Sequence, residues 1–72
     1  MTNELKQRFI ALLEQDAAQA HKVAQAWQEL REHDARLEDA QGKTIATAAE
    51  MVARCTEKET ELRALIAKIK AE

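Results

Sequence analysis

Few side chains in this 72-residue sequence are of types that could carry chemistry. His21, His33 and Cys55 are soft metal ligands, or a nucleophile with its base, and Gly42-Lys43-Thr44 has the form of the tail of a phosphate-binding loop. Each candidate fails on spacing. His21 and His33 stand twelve residues apart, which places them about 120° apart around a helix. Neither has a second histidine four residues away to complete a chelating pair. Glu29 and the run Glu32-His33-Asp34 read as a solvated charged face. A phosphate loop needs a glycine five residues before Gly42, where the chain has Leu37, and a preceding strand that the pattern does not predict. Cys55 falls on an apolar helical stripe, where a free cysteine acts as a small hydrophobe. Nothing near it suggests a pocket or an oxyanion donor loop. The sequence therefore implies a non-enzymatic protein with no cofactor and no metal.

Composition narrows the partners. Thirteen acidic against eleven basic residues leave a formal net charge of -2. Neither half of the chain carries the excess of Lys and Arg that tracks phosphates. Nucleic acid is thus an unfavoured partner, although Lys6, Arg8, Lys22, Arg31 and Arg36 could align into a stripe on paired first helices. No apolar run is long enough to span a membrane, and the N-terminal residues lack a signal-peptide profile. One cysteine fits a reducing, cytoplasmic setting.

The elements that must position these residues are helical. The chain has no proline and a single glycine, Gly42, with strong helix formers on both sides. Glycine commonly ends a helix where φ must become positive. The expected fold is all-α: one domain over residues 1–72, an antiparallel, coiled-coil-like two-helix hairpin. Helix one spans about 3–40 with Thr2 or Asn3 as its cap. The turn spans about 41–43, and helix two about 44–70 with Thr44 as its cap.

Steps of four and three from Phe9 give Leu13, Asp16, Ala20, Val23, Trp27, Leu30, Asp34 and Leu37, with Ile10, Ala17 and Ala24 widening that stripe. Helix two follows the same spacing through Ile45, Ala48, Val52, Cys55, Glu59, Leu62, Ile66 and Ile69. These residues are expected to form the seam between the helices. Asp16, Asp34 and Glu59 are the acids on it, and a buried charge is costly unless paired. They are candidates for setting register and partner choice.

A reversal at Gly42 would set residue i opposite about 84 − i. Leu5, Phe9, Ile10, Leu12 and Leu13 would then project past the end of helix two, bounded by Asp16. Such a patch needs a cover. Two hairpins sharing it would form a homodimeric four-helix bundle, and a foreign protein could bind it as a groove-and-helix contact. The expected function is a protein–protein interaction module: a small adaptor, chaperone or inhibitor. A dimeric RNA- or DNA-binding regulator and a structural coiled-coil rod are the alternatives. In architecture, though in no motif, the layout resembles hairpin co-chaperones of bacterial secretion-needle subunits and plasmid-encoded RNA-binding regulators.

Overall fold

The computed structural model describes residues 2–33 and 36–72. Two helices, α1 (Asn3–Glu32) and α2 (Ala48–Ala71), flank two short strands, β1 (Arg36–Glu38) and β2 (Thr44–Thr47). The helices pack against each other as a hairpin, so the chain turns back and does not run on as one rod. At its tip the strands pair antiparallel. The molecule measures 51 × 23 × 14 Å, two helices wide and one thick. Among the described residues no helix is long and apolar enough to cross a membrane.

Both inner helix boundaries differ from the sequence expectation. α1 stops at Glu32, where the His33 N–H closes the last turn on the Leu30 carbonyl at 3.1 Å. Residues 36–38, expected to be helical, form β1, and Thr44-Ile45-Ala46-Thr47 forms β2. Asp34, expected on the seam, lies outside the described residues. On the β2 side composition favours a strand. Thr44, Ile45 and Thr47 are β-branched and fit a pleated strand better than a first helical turn.

The loop between the strands is built by Asp39. Its carboxylate accepts the N–H groups of Gln41 and Lys43, each at 2.9 Å. The Gly42 N–H donates to the Asp39 carbonyl at 3.0 Å, and the Asp39 N–H to the Lys43 carbonyl at 2.9 Å. Gly42 has φ +79°, the left-handed residue that completes this kind of hairpin loop. Its role is to close a β-turn. The cap of α2 is Thr47 in place of Thr44: its hydroxyl accepts the Glu50 N–H at 3.2 Å. Thr47-Ala48-Ala49-Glu50 has the spacing of a capping box.

This tip fixes the helical register. In the ribbon Leu37 faces Ala46, symmetric about the loop. Three residues, 33–35, then separate β1 from α1, whereas β2 runs directly into α2. The helices therefore slide relative to the ribbon. His21 meets Glu59, with Ala24 beside Thr56 and Gln28 beside Val52, which places residue i opposite roughly 80 − i, four residues from the expected pairing.

Candidate interaction surface

That slide removes most of the expected overhang. α2 continues to Ala71, and the Lys6 ammonium donates to the backbone carbonyl of Glu72. Ile10, 5% exposed, packs with Ile66 and Ile69, and Leu13 lies half-buried against them. The five apolar residues thus divide between two directions. Ile10 and Leu13 belong to the hairpin core, while Leu5, Phe9 and Leu12 face outward at 54%, 48% and 62% exposure. Asp16 is exposed as well.

The seam on α1 consists of Ile10, Ala17 and Ala20, buried, with Leu13, Val23, Ala24 and Trp27 half-buried. Its centre lies on the line of Ile10, Ala17 and Ala24, one residue from the expected line through Phe9 and Asp16. Asp16 supplies the cause: centring the contact on Ala17 leaves the carboxylate in water, where it carries no desolvation cost. On α2, Ala48, Ile66 and Ile69 are buried, and Val52, Cys55, Glu59 and Leu62 half-buried. Three residues expected on the seam lie outside it: Leu30, Leu37 and Ile45 are exposed. Alternation along β2 turns Ala46 inward and Ile45 out.

The two broad sides of the hairpin differ. One carries the charges that bridge the helices. Glu14 pairs with Lys70 at 3.4 Å, and the Glu59 carboxylate joins His21 Nδ1 at 3.0 Å and Arg63 Nε at 2.8 Å. Arg63 and then His21 hold the Glu59 carboxyl below the ordinary glutamate value of 4.5. A shallow groove on this side is lined by Glu14, Ala18, Arg63, Ile66, Ala67 and Lys70.

The other side carries the unpaired apolar residues. At about 100° per residue, Leu5, Phe9 and Leu12 lie on the flank of α1 opposite Glu14 and His21. Leu65, two residues beyond Arg63 and so turned about 160° from it, is also exposed. It lies on the same side of the hairpin as Phe9. The apolar flank of α1 continues past Asp16 and Gln19 to half-buried Val23 and exposed Ala26 and Leu30.

Of the residues with metal-ligand chemistry, the fold brings His21 and Glu59 together, and no group of three or more forms among the described residues. Two of the basic residues that could form a phosphate-tracking stripe are already engaged, Lys6 with the Glu72 carbonyl and Arg8 with Glu4 at 3.2 Å. Sequence reasoning missed Asp39 and Thr47, the residues that set the register. Their signals were an Asp three residues before the only glycine, and Thr47-x-x-Glu50 ahead of an apolar run. No family model, curated protein or solved structure matches the chain.

Proposed function

We propose that this chain is a non-enzymatic protein–protein interaction module acting through the exposed apolar flank of α1, and that its first partner is a second copy of itself. The observation that carries this reading is the exposure of Leu5, Phe9 and Leu12 at i, i+4 and i+7 on a well-formed helix, beside Leu65. Large side chains at that spacing are the anchors of helix-to-helix docking, and a contiguous patch of them favours being covered. A hairpin one helix thick also leaves every core residue near solvent, which a second layer would relieve. The result is a four-helix bundle, a homodimer suited to a reducing cytoplasm where Cys55 stays a thiol. Small adaptors, chaperones and inhibitors are the class of proteins such a bundle would serve.

The test is the solution mass of the parent and of Phe9→Asp by light scattering. The parent should run near twice its 8.1 kDa chain mass. Phe9→Asp should run near the single-chain mass with its helicity retained, because Phe9 is outside the hairpin core. Equal masses for the two proteins would refute the reading.

A further inference from the structure

The outward flank of α1 carries a heptad series along its whole length. Its residues are Leu5, Phe9, Leu12, Asp16, Gln19, Val23, Ala26 and Leu30, separated by four, three, four, three, four, three and four. The series reads the same in both directions about a point between Ala17 and Ala18, the middle of α1. Its mean direction is turned about 130° from the line of Ile10, Ala17 and Ala24 that meets α2. A helix with two apolar faces at that angle is one built for two neighbours, as in a four-helix bundle.

We infer that α1 pairs antiparallel along its whole length with α1 of a second copy, in the register Leu5–Leu30, Phe9–Ala26, Leu12–Val23 and Asp16–Gln19. This rests on the self-association proposed above and adds its orientation, register and axis. Three observations select this occupant. First, α2 offers no equivalent face: its flank on the same side runs Met51, Arg54, Lys58, Glu61, Leu65 and Lys68, mostly charged, so the apolar match to α1 is another α1. Second, a parallel pair would set Asp16 against Asp16, two carboxylates at one level. The antiparallel pair sets each beside Gln19, whose amide can donate to it. Third, the antiparallel register sets large against small at Phe9–Ala26, as a close-packed interface needs. Asp16 thereby selects orientation, the role a polar residue plays on an otherwise apolar helical seam.

Disulfide trapping tests the register. In a Cys55→Ala background, Leu5→Cys, Leu30→Cys and the double variant Leu5→Cys/Leu30→Cys are oxidised and run on non-reducing gels, with mass measured in parallel. Both positions are exposed, so the fold should tolerate the changes. Within one helix they are about 37 Å apart, too far for an internal bridge. The expected result is a covalent dimer for the double variant, and for the two singles mixed, with neither single cross-linking alone. Cross-linking of Leu5→Cys alone would show a parallel pair and overturn the inference while leaving self-association standing. A dimer by mass that no variant traps would place the contact on another face and likewise overturn it. A single-chain mass for the parent would defeat the self-association reading itself and leave the flank to a foreign partner.

Discussion

Ile10 and Phe9 are neighbours on the same helix, both large and apolar, and their fates differ. Ile10 starts the line that runs through Ala17 and Ala24 and is closed off by α2. Phe9 lies on the line that runs through Asp16 to Val23 and Leu30, much of which faces water. Both lines have heptad spacing, so hydrophobic patterning by itself does not choose between them. The choice is made by one charge and by the tip of the hairpin. Asp16 resists burial on the second line, and the paired strands at the tip set which stretch of α2 arrives opposite the first. A helix with two competent faces and one intramolecular partner necessarily presents the other face outward, and in this chain that face contains the candidate site.

The sharpest way to break the comparison is to truncate one member of each line. Ile10→Ala should destabilise the hairpin by about 2–4 kcal/mol, measured by urea denaturation at low protein concentration. Phe9→Asp should leave the isolated hairpin nearly as stable, yet weaken association by about 2 kcal/mol, roughly thirtyfold in dissociation constant by sedimentation equilibrium. If Ile10→Ala costs association and Phe9→Asp costs hairpin stability, the two faces have been assigned the wrong way round.

The tip should have smaller effects. Gly42→Ala meets no steric obstacle, since nothing lies within 4 Å of the added carbon. It must still hold φ near +79°, which costs an L-residue about 1–2 kcal/mol. Gly42→Asn should cost less, because asparagine visits that region more readily. Equal thermal midpoints for the parent and these two variants would mean that the loop is not closed this way. Thr47→Ala removes the cap of α2 and should cost about 1 kcal/mol, with Thr47→Ser restoring most of it. Thr44→Ala, at the position where sequence reasoning placed the cap, should cost less than Thr47→Ala in the same assay.

The smallest effect concerns the charged side. The Glu59 carboxyl is held below its ordinary value in the folded chain by Arg63 and His21. A lowered folded value means that the native state favours the carboxylate. The stabilisation is present above the ordinary value of 4.5 and is lost as pH falls through the folded one. Glu59→Gln should therefore flatten the fall in stability below pH 4.5 and leave the solution mass unchanged. An altered mass would tie the charged side to assembly as well.

How much of this was legible in the sequence follows from the same residues. The helical hairpin was, because one glycine interrupts a chain otherwise made of helix formers. On α2 the large apolar residues other than exposed Leu65 keep to one stripe, so spacing alone pointed to Ala48, Val52, Cys55, Leu62, Ile66 and Ile69. On α1 two stripes interleave, and spacing alone does not separate the line through Phe9 and Asp16 from the one through Ile10 and Ala17, where the contact centres. The cost of burying Asp16 was the available clue. The ribbon was missed because Arg36-Leu37-Glu38 has no strand character of its own. It forms by pairing with the β-branched run 44–47, a non-local contact that window patterns do not register. From that miss came the four-residue error in pairing and the overhang it implied.

Small-angle scattering over a series of rising protein concentrations tests the central claim, that the outward flank of α1 is a full-length interface. Antiparallel pairing about the middle of α1 stacks two hairpins almost in line. The mass should double while the longest backbone dimension grows from 51 Å to only about 60 Å. Two hairpins joined by their N-terminal ends around Phe9 would extend to about 85 Å, and a single hairpin would stay at 51 Å with the mass of one chain. Either of those outcomes would contradict the account.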